Sequence, residues 1–274
     1  MPELPEVEVV RLGLAPYLLG RKIVAITHSG KKLRSPFPRA AIARWGIGAT
    51  VVAVARRAKY LLLSLDNGGL IVVHLGMSGR LCVTNPGEPL RSHDHVRLRL
   101  DAGLELRFND ARRFGLFDLL PPGEAGNPKW LRDLGPEPLG PEFTAAFLHA
   151  KAQGKKTPIK NLLMDNRVVV GIGNIYASES LFAARVLPTK PAGTLSLAAC
   201  RRIVTSSRQV LGQAIAAGGN TISDFANASG EAGYFQLQLM VYDRAGQPCR
   251  VCGATIRKIV LGGRSTFFCP RCQR

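Results

Sequence analysis

Residues 50–77, TVVAVARRAKYLLLSLDNGGLIVVHLGM, decide the fold of the first half of the chain. Apolar and β-branched residues dominate three short runs within it, at 50–55, 59–65 and 70–77. The turn-forming sequence Asp66-Asn67-Gly68-Gly69 separates the last two runs, which is typical of a β-hairpin. Successive short strands joined by tight turns predict an antiparallel sheet.

Further strand patterns lie on both sides of this stretch, at 22–29, 95–100 and 104–108. Short strands at such regular spacing predict a β-sandwich or a flattened barrel. A helix is predicted ahead of them, because Pro5 suits a first helical position and Val7, Val10 and Leu14 then share one face.

Residues 121–142, PPGEAGNPKWLRDLGPEPLGPE, are rich in Pro and Gly and indicate a connection between domains. Helical spacing follows it at 143–153, 158–164, 174–185 and 196–217, and then a Gly-rich polar stretch at 217–236 predicts a long loop. We therefore expect a multi-domain α+β protein with a first domain at 1–121, a linker at 122–142, a helical domain at 143–240 and a hairpin at 241–274.

The chain has 274 residues and a formal net charge of +18, which favours a polyanionic partner such as nucleic acid. No apolar run approaches the roughly 18 residues of a membrane span, so no membrane contact is expected. The opening MPELPEVEVV carries three Glu residues and fits neither a secretory leader nor a transit peptide. A cytoplasmic location is the prediction.

Four cysteines follow the pattern Cys249-x2-Cys252-x16-Cys269-x2-Cys272, the spacing of a closed four-thiolate zinc site. The alternatives are a disulfide pair or chance clustering. We predict one structural Zn²⁺ per monomer and no organic cofactor. Cys82 and Cys200 stand alone in apolar surroundings and are expected to be buried hydrophobic residues.

Gly171 and Gly173 precede Asn174 at a predicted helix start, where free backbone amides can bind a phosphate. A plain tight turn before a core helix explains this pattern equally well. Taken singly, Lys59 is most often a solvated strand lysine and Phe114 a core residue.

Several segments along the chain match one known family, namely MPELPEVE, RRAKYLLL, HLGMSGRL, HDH, ARRFG, LGPEPL, MDNRVVVGIGNIYASESLF, GYF, PCRVCG and RSTFFCPRCQ. Through them the whole chain resembles the formamidopyrimidine-DNA glycosylases, which are bacterial base-excision repair enzymes. Val9 departs from the family pattern, which has Thr at this point.

This resemblance implies an N-terminal β-sandwich with its helix, a helical domain with a helix-two-turn-helix element, and a C-terminal zinc-finger hairpin. It also implies a monomeric, bifunctional enzyme that removes oxidised purines such as 8-oxoguanine from double-stranded DNA. The implied chemistry is a Schiff base with the N-terminal proline, followed by β,δ-elimination at the abasic site.

By the same resemblance, Pro2 is the nucleophile once Met1 is removed. An α-amino group titrates near 8, so a useful fraction is unprotonated at neutral pH, whereas an ordinary lysine at about 10.4 is almost wholly charged. Glu3 would act as general acid and base, and Glu6 would position the amine or a water. Lys59 and Arg264 would assist elimination, while Glu8 is predicted to be structural.

The family's DNA contacts carry over to two groups of residues. The first group, Met77, Arg112 and Phe114, would fill the space left by the extruded nucleotide, with Arg112 reading the opposite base. The second group would hold DNA around that nucleotide and consists of His93, Lys156, Lys160, Asn174, Tyr176 and Arg264. The loop at about 218–234 would close over the base.

Two other functions are compatible with parts of the sequence. An oxidised-pyrimidine glycosylase of the endonuclease VIII type would share much of the chain, but the ARRFG segment argues against it. A non-enzymatic zinc-finger DNA-binding protein would share the charge and the cysteines, but it would have no use for the Pro2-Glu3 start.

Overall fold

The computed structural model describes residues 2–85, 87–101, 103–219 and 239–274. The chain divides into two compact units. The first unit comprises Met1–Arg132 with Gly218–Phe235, and the second comprises Asp133–Ala217 with Gln236–Arg274. The division at Arg132 falls inside the predicted connection. The domain boundaries given above stay a prediction.

The first unit is an antiparallel β-sandwich behind one long helix. The elements are α1 (Leu4–Leu18), β1 (Ile23–His28), α2 (Arg39–Ala41) with a π-helical turn (Ile42–Gly46), β2 (Val51–Arg57), β3 (Tyr60–Leu65), β4 (Leu70–His74), β5 (Arg80–Thr84), β6 (Asp94–Leu100), β7 (Glu105–Asn109), β8 (Leu116–Leu120) and α3 (Pro122–Ala125). The strands form two sheets, with the strand orders β1-β6-β7-β5 and β2-β3-β4-β8.

One hydrophobic core joins the helix to both sheets. Val10 and Leu14 of α1 belong to the same buried cluster as Leu63 of β3 and Phe108 of β7. The predicted apolar face of α1 is therefore the face that packs. Burial of this face fixes the direction of α1, and hence the place of the residues that precede it.

Two strands, β5 and β8, are missing from the predicted set. In β8 the apolar run is interrupted by the charged residue Asp118. The structure accepts this buried carboxylate because Trp130 Nε1 donates to it at 2.7 Å and Lys129 Nζ lies 3.2 Å away. A buried charge with such partners is tolerated in a strand.

The second unit contains four helices and a hairpin among its described residues. The helices are α4 (Ala145–Ala152), α5 (Ile159–Leu163), α6 (Asn174–Ala183) and α7 (Leu197–Ala216), with a short 3-10 turn at Ala192–Thr194. The hairpin strands are β9 (Arg257–Leu261) and β10 (Arg264–Phe268), which pair antiparallel. The predicted fold class, with its sandwich, helical part and C-terminal hairpin, is confirmed.

The C-terminal hairpin has a very small core of its own. Its buried residues Ile256, Phe267 and Cys269 cluster with Phe182 of α6 and with Val241. Glu179 of α6 accepts hydrogen bonds from the amides of Met240, Val241 and Tyr242 at 2.8–3.0 Å. Burial raises the pKa of Glu179, against the effect of these three donors. The chain that leads into the hairpin is thus anchored on α6.

None of the helices in the described ranges is both long and apolar enough to cross a membrane.

Candidate active site and nucleic-acid interface

The first turn of α1 is held by its own carboxylates. The Glu3 amide donates to Glu6 Oε2 at 2.7 Å, in the reciprocal arrangement of a capping box. Glu3 and Glu6 are only 2% and 1% exposed, and Pro2 is buried. This capping fixes the backbone of Glu3, and therefore the direction in which Pro2 precedes it.

Glu8 connects the helix to the turn that carries Lys59. Its carboxylate accepts from Arg11 Nη2 at 2.6 Å and from Arg56 Nε at 2.8 Å. Arg56 Nη1 in turn donates to the carbonyl of Ala58 at 2.9 Å. Burial opposes ionisation of Glu8, but the two guanidinium groups outweigh it and lower its pKa. Glu8 has a structural role, as predicted, and through Arg56 it supports the residue before Lys59.

Lys59 lies in the two-residue turn between β2 and β3. Register pairs Arg57 with Tyr60, which leaves Ala58 and Lys59 as the turn itself. Ala58 has a φ of +54°, a left-handed conformation that an L-residue adopts at a cost of about 1 kcal/mol. Lys59 is buried rather than solvated. Such a turn aims the lysine inward.

His74 is a neighbour of this turn that the sequence pattern did not single out. It is the register partner of Tyr60, and the two rings lie 4.8 Å apart. Its Nδ1 faces the amide of Gly76 at 2.9 Å, so the neutral ring carries its proton on Nε2. Burial, together with the positive charges of Arg34 and Lys59, lowers the pKa of His74 to about 3. The signal for His74 in the sequence is a lone histidine at the end of the apolar strand LIVVH. Its place opposite Tyr60 is known only from the structure.

Two loops bring Met77 and Phe114 to the same region of the sandwich. A Cβ atom on Gly76 would lie 2.6 Å from the backbone of Phe114 and of Gly115, so these loops can touch only because residue 76 is glycine. Met77 is 36% exposed and Phe114 is 48% exposed. Two large apolar side chains standing in water together indicate a surface for a partner.

Asp110 holds these loops in place. Its carboxylate accepts from Ser78 Oγ at 2.6 Å and from the Gly115 amide at 2.7 Å. Ser78 Oγ also accepts from the Arg112 amide at 3.2 Å. The Arg112 guanidinium lies 5.0 Å from the centre of the Phe114 ring, a cation–π distance. Asp110 was not among the predicted site residues, although it is fully buried and charged.

His93 lies beside the same loop. It has a φ of +74°, its side chain is exposed, and its carbonyl accepts from the Asp110 amide at 3.0 Å. The first unit therefore gathers Met77, His93, Arg112 and Phe114 around Asp110. Their predicted contacts with DNA stay predictions.

Gly219 lies at the start of the predicted base-closing loop and is the last residue there that the structure describes. Its φ of +82° suits glycine, and a Cβ on it would lie 3.5 Å from Glu6. The chain thus leaves for that loop directly beside the carboxylate of Glu6. Most of the predicted loop, residues 220–234, lies outside the described residues.

In the second unit, Lys160 joins α5, α6 and β10. Its ammonium donates to Asn174 Oδ1 at 2.5 Å, to Thr266 Oγ1 at 2.7 Å and to the carbonyl of Ser265 at 3.1 Å. Asn174 Nδ2 donates to the same carbonyl at 2.9 Å. Lys160 is only 1% exposed. Both residues were predicted to hold phosphate, and here they bind each other and the hairpin.

Arg264 follows the hairpin turn Gly262-Gly263 and is exposed. The turn packs on α5, since a Cβ on Gly262 would lie 2.6 Å from the side-chain amide of Asn161. Lys156 is exposed on the segment before α5, whereas Tyr176 of α6 is fully buried. Arg264 therefore directly precedes Ser265 and Thr266, the two hairpin residues that bind Lys160. The DNA contacts of Lys156 and Tyr176 stay predictions.

The four predicted metal ligands come together at the base of the hairpin. The sulfur atoms of Cys249, Cys252, Cys269 and Cys272 all lie within 4.8 Å of one another, and none of these cysteines is in a disulfide. The separations Cys252–Cys269 and Cys249–Cys272 are 3.4 and 3.9 Å. Zn–S bonds of about 2.3 Å in a tetrahedron place sulfurs about 3.8 Å apart, so the four thiols fit Zn²⁺.

Family models match three parts of the chain. The N-terminal domain of formamidopyrimidine-DNA glycosylase matches residues 1–117, and the H2TH domain of the same enzyme matches residues 134–226. A zinc finger found in FPG and IleRS matches residues 246–274. These matches favour neither the endonuclease VIII alternative nor the non-enzymatic one.

Individual proteins resemble the chain along its full length. A formamidopyrimidine-DNA glycosylase from Methylococcus capsulatus is 50% identical, with 100% of both chains covered. The wild-type Lactococcus lactis Fpg, solved with DNA containing an N7-benzyl-Fapy-dG, is 32% identical with a TM-score of 0.89 and 100% of both chains covered. The same enzyme with DNA containing an abasic site gives 31% identity, a TM-score of 0.89 and 99% coverage of both chains.

The buried imidazole of His74 makes the stability of the first unit depend on pH. Its folded-state pKa of about 3 lies below the ordinary 6.5, so its contribution is complete above pH 6.5 and is lost as the pH falls toward 3. The slope is at most about 1.4 kcal/mol per pH unit. We predict a shallower slope for His74→Gln, which removes the titrating group and keeps an acceptor for Gly76.

The measurement is urea unfolding between pH 7 and pH 4, followed by tryptophan fluorescence. Both tryptophans of the chain, Trp45 and Trp130, lie in the first unit, so this signal reports on that unit alone. The control His93→Gln removes an exposed imidazole from the same unit. Parallel pH dependence in wild type and His74→Gln would contradict the prediction.

The thiol cluster predicts that metal and hairpin folding are coupled. Cys249→Ser removes one of four ligands, so we expect the variant to retain less zinc and to lose the folded hairpin, because the hairpin has little core of its own. Zinc content per chain and trypsin cleavage after Lys258 measure the two effects. Cys82→Ser, which removes a thiol outside the cluster, is the control. Equal zinc content and equal protease resistance would refute the coupling.

Proposed function

The chain belongs to the formamidopyrimidine-DNA glycosylase family, and from this premise we propose that Pro2 is the nucleophile with which it excises oxidised purines from DNA. The protein is a DNA glycosylase of base-excision repair, and its partner is double-stranded DNA containing damaged purines or abasic sites. The observation that carries the assignment of Pro2 is the capped first turn, in which Glu3 and Glu6 are buried directly after it.

The proposed reaction begins with the secondary amine of Pro2, after Met1 has been removed. The amine nitrogen forms a bond to C1′ of the damaged nucleotide, and the glycosidic bond breaks, so that the base leaves with the bonding electrons. Glu3 gives its proton to the departing base, and it then takes the proton that the amine of Pro2 loses and passes it to the ring oxygen of the sugar. Opening of the sugar ring gives an iminium ion between Pro2 and C1′.

The iminium ion makes elimination possible at the neighbouring carbons. It acidifies the protons on C2′, so loss of one of them expels the 3′ phosphate, and a second elimination expels the 5′ phosphate. Lys59 supplies positive charge near the sugar, and Arg264 of the second unit assists the second step. The inward direction and burial of Lys59 support its role.

The DNA is proposed to be read by the groups that surround Asp110. Met77 and Phe114 enter the space left by the extruded nucleotide, and their exposure supports this. Arg112 reads the base opposite the lesion, and His93, Lys156 and Asn174 bind phosphates. Lys160 contributes by holding Asn174 and the hairpin, as its three hydrogen bonds favour.

The zinc finger is proposed to hold one structural Zn²⁺ per chain through its four cysteines. When bound, the metal supplies no chemistry to the reaction but stabilises the hairpin that carries Arg264. Because the substrate is genomic DNA, we further propose that the protein works in the cytoplasm at the nucleoid.

Borohydride trapping tests the nucleophile. Wild-type protein mixed with a duplex containing 8-oxoguanine should give a covalent adduct that mass mapping places on Pro2. A variant with one residue added ahead of Pro2 should bind the duplex but lose the adduct and several orders of magnitude in cleavage. An adduct on Lys59 would overturn the assignment.

Arg112 is predicted to discriminate cytosine from adenine opposite the lesion. A guanidinium matches the acceptors of cytosine, whereas adenine leaves hydrogen bonds unmade at a cost of roughly 1–3 kcal/mol, or about tenfold to a hundredfold in rate. We expect Arg112→Ala to lower the ratio of excision opposite cytosine to excision opposite adenine by that factor. Arg113→Ala, at the next exposed arginine, is the control. An unchanged ratio would reduce Arg112 to a general DNA contact.

A further inference from the structure

An open cavity of about 520 Å³ lies in the second unit, in a region for which the proposed reaction has no use. Ligand-binding cavities commonly measure roughly 300–1,000 Å³. Five positively charged side chains line it, together with Val251 and two of the zinc-site cysteines; the five are Arg185, Lys190, Arg202, Arg271 and Arg274. The cavity contains no acidic lining residue among the described part of the chain.

Hydrogen bonds connect the chain segments that carry these cations. The Arg274 amide donates to the carbonyl of Arg185 at 3.3 Å, and the Leu187 amide donates to the carbonyl of Arg274 at 3.2 Å. The buried side chain of Gln273 donates to the carbonyl of Val186 at 2.8 Å. The cavity wall therefore consists of chain segments that are hydrogen-bonded to one another.

Within the described ranges, none of the five cationic side chains of the cavity forms an ion pair with a carboxylate side chain. Arg202 alone has a side-chain partner, since its Nε donates to the carbonyl of Ala184 at 3.1 Å. That bond supplies a donor to a carbonyl at the C-terminal end of α6, which is one structural reason for an arginine at position 202. The side chains of the other four cationic residues have no such structural partner among the described residues.

The zinc site is the other candidate for neutralising this charge. A Zn²⁺ ion with four thiolates carries a net charge of −2. The five lining cations outnumber these negative charges. Like charges gathered in one cavity repel one another, and an anion bound between them lowers that repulsion.

The cavity is separate from the proposed DNA contact at Asn174. Asn174 begins α6, whereas Arg185 lies just beyond its last residue, Ala183. A helix rises about 1.5 Å per residue, so the two ends of α6 are about 14 Å apart. A phosphate held at the start of α6 leaves the cavity free for another ligand.

We propose that this cavity is a second anion-binding site, which takes a ligand bearing two or more phosphate groups. Arg185, Lys190 and Arg271 bind the phosphate oxygens, and guanidinium groups suit them because their paired donors match two oxygens at once. Two sources share this chemistry. One is a free polyphosphate, as in a nucleoside triphosphate, and the other is the backbone of DNA outside the lesion-binding surface.

The test is a calorimetric titration at low salt, in which inorganic tripolyphosphate is added to the zinc-loaded full chain and its binding affinity is measured. Lys190→Gln and Arg271→Gln each remove one lining charge, and we expect each to weaken binding about tenfold. Arg201→Gln is the matched control, because Arg201 is exposed beside Arg202 on α7 but does not line the cavity. Zinc content is measured in every variant.

Three results would overturn the proposal. They are the absence of saturable tripolyphosphate binding in wild type, an equal loss in Arg201→Gln, and a loss of zinc that accounts for the weaker binding. The last result would assign the cations to the metal site instead. Cleavage of a short lesion-bearing duplex, measured in parallel, reports on the proposed function independently.

A second arm distinguishes the two sources of phosphate. Binding of a long duplex is measured at several salt concentrations in wild type and in Arg271→Gln. If DNA is the ligand, the slope of log affinity against log salt falls by about one in the variant. If the slope is unchanged while tripolyphosphate binding is weakened, a free polyphosphate is the ligand.

Discussion

The buried carboxylate of Glu6 is the constraint on which the geometry of the first unit depends. It accepts the amide of Glu3, so it fixes the first turn of the helix, and it lies close to Gly219. A buried carboxylate without a donor is costly. The first turn of α1 therefore has little freedom, and it sets the position of Pro2, which directly precedes it.

In the second unit a buried positive charge, the ammonium of Lys160, has the corresponding role. An ammonium has three donors, and Lys160 uses them on Asn174, Ser265 and Thr266. Breaking such a buried set is expected to cost about 3–5 kcal/mol, because an uncompensated charge would remain. The hairpin that carries Arg264 is thereby tied to α5 and α6. In both units, a buried charged side chain positions a proposed functional residue nearby: Glu6 positions Pro2, and Lys160 positions Arg264.

Exposed residues and residues with strained backbones lie where DNA is proposed to bind. Ala58, His93 and Arg113 have positive φ angles, and all three lie in the turns that carry proposed site residues. Met77 and Phe114 are exposed to solvent although their side chains are apolar. Packing elsewhere, above all the burial of Asp110, holds these unfavourable arrangements in place. The positive charge of the chain is present on more than one surface, since the cationic cavity beside the zinc ligands lies at the far end of α6 from Asn174.

The sequence by itself determined α1, six of the eight strands of the first unit, the four helices of the second unit and the four metal ligands, because each depends on local periodicity or spacing. Its motifs also led to the family. Only the tertiary structure revealed β8, His74 and Asp110, and it showed that Lys160 is buried. Those features depend on partners distant in sequence, such as Trp130 for Asp118, Ser78 for Asp110 and Ser265 for Lys160. No local pattern encodes such pairs, because they form when the chain folds and brings the partners together.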